Sequence, residues 1–208
     1  MIQYAAQFRV APQQLVEKTA EMMHNTIFYT AAAQRPPKAI RFDFYFMHCV
    51  NSSVFWPTFN ALPWLSTAAK CRLLEWKGRL DLAMYASRRS PELLGEEIRG
   101  YVSKDEGGWL ELARRLYAIP GDDGHAIKFL RALGEAERVC GAFEGEGWAR
   151  IKGAEWARIK GAEWARVGNM VVDSVEEAQG KEEGTWARSV GFDEAWEGVG
   201  DRTRRGVL

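Results

Sequence analysis

Two of the three histidines in this chain stand among groups able to do chemistry. One lies in Asp122-Asp123-Gly124-His125-Ala126-Ile127-Lys128, directly after the helix-breaking Pro120-Gly121. An aspartate in that position accepts hydrogen bonds from the first free helical amides and caps a helix running to about Val139. His125 then falls in the first turn, with Lys128 one turn later on the same face. The positive end of the helix dipole favours the neutral imidazole, which is the form that ligates a metal. The alternative is a capped surface helix with both side chains in water. His48 sits in a different setting, inside the apolar run from Ile40 to Phe59, where Asn51 and Ser52 follow it at i+3 and i+4 and so share its helical face. Polar groups buried there need partners, so the stripe either closes an internal hydrogen-bond network or lines a cavity. His24, beside Asn25, has no evident partner and reads as a polar-face or boundary residue.

Helices are the elements available to position these groups. Leu15, Val16, Ala20, Met22, Met23, Ile27 and Phe28 recur at three- and four-residue spacing after Pro12, predicting a helix that Pro36-Pro37 ends. The run from Ile40 to Phe59 is apolar nearly all round, as in a buried helix or helix pair. Trp64 to Arg88 reads as a long helix with Leu73, Trp76, Leu80, Ala83 and Met84 as its apolar stripe. Glu75 with Arg79 and Lys77 with Asp81 then form i, i+4 ion pairs on its solvated side, the alternative being a buried Lys77 or Arg79 facing a ligand. Ser90-Pro91-Glu92 has the form of a capped helix start, and Trp109 to Tyr117 predicts another helix. No alternating strand pattern is present. The expected fold is an all-α, multi-helix single domain over residues 1–208.

Composition narrows the function classes. Lys plus Arg and Asp plus Glu are each 28 in 208 residues, so no net field draws nucleic acid or an anionic membrane. No apolar run approaches the ~18 residues that span a bilayer. Cys49, Cys71 and Cys140 are odd in number and lie in apolar or helical contexts, which fits reduced structural thiols. The first residues lack a secretory-signal pattern, so the expected location is cytoplasmic.

From Gly147 to Gly168 an octet recurs, as in Gly153-Ala154-Glu155-Trp156-Ala157-Arg158-Ile159-Lys160. Eight residues overshoot two helical turns by about 80°, so the tryptophans do not align on one helical face. Gly153 and Gly161 each weaken a helix by ~1 kcal/mol relative to alanine. The duplication over residues 147–168 is expected to form an expanded helix or loop of low functional specificity. The tail, Trp186 to Trp196, is expected to fold back onto the core after a solvated polar segment.

Four segments in order carry a resemblance: Phe46-Met47-His48-Cys49-Val50-Asn51-Ser52-Ser53, Leu74-Glu75-Trp76-Lys77-Gly78-Arg79-Leu80-Asp81, Asp122-Asp123-Gly124-His125-Ala126-Ile127-Lys128 and Gly191-Phe192-Asp193-Glu194-Ala195-Trp196. Together they resemble the questin oxidase-like family, enzymes mostly of fungi, over nearly the whole chain apart from the octets. The resemblance implies oxidative ring opening of planar aromatic polyketides such as anthraquinones in secondary metabolism. In some members this is Baeyer–Villiger-type and NADPH-linked. In another it is non-haem iron dioxygenation, with the metal held by histidines and a carboxylated lysine. Carried onto this chain, the metal ligands are His48, His125 and Lys128, and the cofactors are Fe(II) and NADPH. Two imidazoles and one oxygen anion suit non-haem Fe(II) with open positions, and burial would free the lysine amine to become a carbamate. Family members are about twice this length, so the chain resembles a C-terminal half. Its cut core would then need the missing N-terminal half or a homo-oligomer to cover apolar faces. A helical remnant or interaction protein that keeps the fold without a complete site is the alternative from another functional class.

Overall fold

A computed structural model describes residues 2–120, 123–144, 158–181 and 184–202. Its organising element is the helix α2 (Leu15–Ala32), entered through a 3-10 turn at Pro12–Gln14 and preceded by the short α1 (Ile2–Ala5). α2 is buried on almost every side, from Leu15 through Ala32. Its threonines can be buried because each hydroxyl bonds back one turn: Thr19 to Leu15 O at 2.7 Å, Thr26 to Met22 O and Thr30 to Thr26 O at 2.6 Å.

Around α2 pack α3 (Phe44–Ser53), α4 (Phe55–Ala61), α5 (Thr67–Ser87), α6 (Gly95–Arg99) and α8 (His125–Cys140), while α7 (Trp109–Tyr117) and α9 (Glu163–Ala178) close the far side of α8. Asp43 caps α3, accepting from Tyr45 N at 2.8 Å and Phe46 N at 3.1 Å. Its second oxygen takes Val190 N at 2.9 Å, which ties the tail to the start of α3. The tail does fold back: Trp196 is buried with its Nε1 donating to Val190 O, in a cluster with Tyr29, Phe46 and Val199. α7, α8 and α9 meet at Gly168, where an added Cβ would lie 2.9 Å from Leu112 Cδ1 and 3.2 Å from Trp109. Among the described residues the secondary structure is helical, with two isolated β-bridges and no strand. The fold is all-α. No described helix is long and apolar enough to cross a membrane. Cys49, Cys71 and Cys140 are free and buried.

Three local expectations are corrected. The orientation of α5 is the reverse of the sequence reading: Trp76 and Leu80 are 58% and 60% exposed, while Glu75, Lys77 and Asp81 are buried. The polar face turns inward because it meets partners there, as described below. The helix near Ser90 begins instead at Gly95; Arg89 and Ser90 have φ of 63° and 45°, a turn incompatible with a Ser90 cap. His24 is buried and partnered across the chain. Its Nε2 accepts from Ile159 N at 2.9 Å, its Nδ1 lies 3.4 Å from Asn25 Oδ1, and its ring meets Trp164 edge-on.

Those last contacts bear on the duplication. Its first copy lies outside the described residues, but Ile159 of the second and Trp164 of the third are fully buried, and the third opens α9. Two hydrogen bonds to Glu144 anchor the junction, from Gly161 N at 3.2 Å and Trp164 Nε1 at 2.8 Å.

Candidate functional site

α3 and α8 pack against each other, and their contact brings together the two histidines singled out in the sequence. The His48 and His125 rings are 5.1 Å apart, centroid to centroid, and perpendicular. Phe44, one turn before His48, touches both at 4.7 and 5.3 Å. The Arg188 guanidinium lies 4.9 Å over the Phe44 ring, which fixes that ring between tail and helix.

His125 is placed by the turn before α8. Gly124 adopts φ 77°, a left-handed conformation that glycine reaches without steric cost. That turn swings the Asp123 carboxylate back over the helix start, where Oδ1 accepts from His125 N at 3.0 Å and Oδ2 lies 2.7 Å from His125 Nδ1. The second contact has ion-pair distance without hydrogen-bond alignment, since Nδ1 has no hydrogen-bond partner of good geometry. Burial pushes the Asp123 carboxyl up, but the His125 amide and ring together with Lys128 outweigh it and hold it below the usual carboxylate range. His48 is held below the ordinary imidazole range by partial burial first, then by His125 and Lys128, against the opposing pull of Asp123.

Two expectations about this region are corrected. His48 is exposed while Asn51 and Ser52 are half-buried, so the stripe does not close an internal network through His48, and Asn51 Oδ1 is left buried without a hydrogen-bond partner. Asn51 and Ser52 are served locally, Asn51 Nδ2 by Met47 Sδ and Ser52 Oγ by Cys49 O at 2.9 Å. Lys128 is exposed as well, so the burial that was to free its amine is absent here. Its amine reaches back over the turn before α8, where a Cβ on Gly124 would sit 4.0 Å from Lys128 Nζ. Among the described residues no group of three or more His, Cys, Asp or Glu is arranged to hold a metal ion. His48 and His125 are near enough to share an ion, and the donor set they offer is partial. Asp123, which the sequence offered only as a cap, is the carboxylate that sets the His125 ring.

On the opposite side of α3 lies the polar cluster that turned α5 around. Lys77 Nζ bonds both Asp81 oxygens at 2.5 Å and Cys49 O at 3.1 Å, with the Trp56 ring 5.7 Å away. Thr26 donates to Asp81 Oδ2 at 3.3 Å. Burial, beside the Asp81 charge, pushes the Cys49 thiol up to about 11, so it is a neutral structural thiol. His48 and Cys49 are thus neighbours in sequence facing two different polar assemblies.

The sequence pattern described as questin oxidase-like matches residues 1–133. Among similar proteins, a Baeyer–Villiger oxidase of Pestalotiopsis microspora is 40% identical over 144 residues, 69% of this chain and 32% of its own length. A Baeyer–Villiger monooxygenase of Aspergillus aculeatus is 36% identical over 215 residues, covering 95% of this chain and 42% of its own. A questin oxidase of Aspergillus terreus is 38% identical over 142 residues, 67% of this chain and 32% of its own. The matched stretches span about a third to two fifths of the length of these relatives.

Proposed function

We propose, from the premise that this chain belongs to the questin oxidase-like family, that it carries part of the reaction centre of an oxidoreductase. Its substrate is a planar aromatic polyketide such as an anthraquinone, opened oxidatively in secondary metabolism. The observation that carries the reading is the His48–His125 pair at 5.1 Å with Asp123 set against His125. His48 and His125 supply two imidazoles, and Lys128 would supply an anionic oxygen, as a carbamate, once the rest of the longer family protein or a second copy buries its amine. These residues would hold Fe(II), which would supply a redox centre for reaction with oxygen. Asp123 fixes which face His125 presents and balances positive charge at the site. Phe44 holds both imidazoles in place and offers an apolar edge to a flat ring. NADPH would supply the two electrons where one oxygen atom enters the ring and the other leaves as water. The remaining ligands come from the rest of the longer family protein or from a second copy, which would also cover exposed His48. Buried reduced thiols suit a cytoplasmic setting.

The test is oxygen uptake by the iron-loaded chain, with and without NADPH, on an anthraquinone, with the product's mass showing ring opening. Uptake that His48→Ala and His125→Ala abolish supports the reading; equal uptake by the variants contradicts it. The incomplete donor set favours one second reading, a helical domain that keeps the family fold without a complete site. Absence of both bound metal and oxygen uptake would select it.

A further inference from the structure

A cleft of about 690 Å³ lies between the tail and the end of α5, and three guanidinium groups line it, those of Arg41, Arg88 and Arg188, against one carboxylate, Glu194. Arg41 is buried and lies 3.6 Å from Glu177, so its charge is offset within the protein. The other two have no carboxylate within ion-pair distance among the described residues. Aromatic rings hold them instead. Arg88 lies 3.8 Å over the Tyr45 ring and Arg188 4.9 Å over that of Phe44, neighbouring residues at the start of α3. Stacking of this kind fixes the plane of a guanidinium and leaves its N–H edges to other partners. Arg88 donates from Nη1 to Ser189 Oγ at 2.9 Å, while its Nη2 meets the Met84 sulfur at 3.8 Å. Arg188 is exposed and makes no hydrogen bond to a described residue.

The backbone is bent to build this cleft. Arg89, Ser90 and Ser189 are the non-glycine residues with positive φ among the described residues, at 63°, 45° and 68°, and they belong to the two turns that meet at the Arg88–Ser189 contact. Gly191 lets those turns close, since a Cβ there would fall 2.0 Å from Arg88 O. Ala187 places the next residue, Arg188, by bridging to both sides of Asp43: its N donates to Phe42 O at 3.1 Å and its O accepts from Phe44 N at 2.8 Å. Left-handed backbone at non-glycine residues is unfavourable, and it gathers at ligand clamps and switch regions.

Two positioned cations without an anion call for a ligand that brings negative charge. A carboxylate brings one charge and two oxygens in a plane. A phosphate monoester brings close to two charges and three oxygens pointing apart, which suits two guanidinium groups held on separate rings. Glu194 is exposed, so water and salt weaken its repulsion. We propose that this cleft binds a phosphate monoester, its phosphate held by Arg88 and Arg188 and its organic part set against Trp186 and Phe192, which also line the cleft. The volume is within the range of small-molecule sites. The site goes beyond the reading of the histidine pair and does not depend on a metal.

The test is a calorimetric titration of the full chain at low ionic strength, in the presence of a chelator, with inorganic phosphate, glycerol phosphate, AMP and, as a monoanionic control, acetate. Saturable binding of phosphate and both esters, about tenfold or more tighter than acetate, is expected. AMP tighter than glycerol phosphate assigns the group to a nucleotide, and AMP no tighter assigns it to a small phosphate ester; either supports the site. Arg188→Gln, at an exposed position, keeps the fold and weakens phosphate by about tenfold. Arg131→Gln, an exposed arginine on α8, leaves it unchanged. Glu194→Gln strengthens it by about twofold. His48→Ala leaves it intact, so this assignment and that of the metal fail separately. No saturable phosphate binding, acetate as tight as phosphate, or an Arg188→Gln effect that is absent or matched by Arg131→Gln would overturn the proposal.

Discussion

The two sides of α3 hold polar groups under opposite physical conditions. On one, the exposed His48 ring meets the half-buried His125 ring near the surface. On the other, Lys77 and Asp81 are buried, and both carboxylate oxygens and all the ammonium protons are used within the protein. Removing a partner from the buried pair strands a charge in the core, whereas removing a surface imidazole strands nothing. The inner assembly is therefore built into stability, and the outer one is free to serve binding.

The largest expected effect breaks the inner side. Lys77→Met should cost about 3 to 5 kcal/mol in urea unfolding, because Asp81 is left charged and alone. Adding Asp81→Leu should recover most of that loss, since a buried pair replaced by apolar residues is often neutral. His48→Ala should leave the same unfolding curve nearly unmoved.

A second prediction concerns acid. Burial lowers the His24 imidazole from 6.5 to about 4, and Ile159 N occupies the ring nitrogen that would take the proton. The unfolded chain therefore binds that proton first as pH falls. Stability that is complete above pH 6.5 should decline by about 3 kcal/mol on the way to pH 4. Thermal unfolding as a function of pH checks this, and His24→Asn should flatten the profile over that window.

Smaller effects sharpen the outer side. Asp123→Ala removes the acceptor for His125 N and should cost about 1 kcal/mol, as for a lost helix cap, while loosening the His125 ring. Its readout is unfolding together with the His125 imidazole resonance. Trp76→Lys should shift stability by no more than about 0.5 kcal/mol, since the side chain is largely in water. A core tryptophan at that position would cost several times more.

Much of the helical plan was legible in the residues. Trp109 to Tyr117 has the bounds its periodicity predicts, and Pro36-Pro37 separates α2 from α3 as prolines should. The approach of His48 to His125 came from reading two segments together through their resemblance, since 77 positions of chain carry no local signal that they meet. α5 shows why the rest was hidden. Its two faces each mix apolar and charged residues, and the i, i+4 spacing of Lys77 and Asp81 is the same whether they face water or core. What turns them inward is Thr26 on α2 and the Cys49 carbonyl on α3, contacts at separations of 55 and 28 residues. His24 is the same case at greater distance, its partner Ile159 lying 135 residues on and inside a duplicated stretch that looked unspecific. Ser90 failed for a local reason, because a Ser-Pro-Glu sequence fits a helix start only if the serine backbone is extended, and here its φ is 45°.

The most direct test of the central claim is the iron content of the purified chain after anaerobic loading with Fe(II) and removal of excess, compared among the unaltered chain, His48→Ala and His125→Ala. Bound iron in the unaltered chain, lost in both variants while their unfolding curves stay in place, is the predicted result. Iron retained equally by all three would contradict the assignment of His48 and His125 as its ligands.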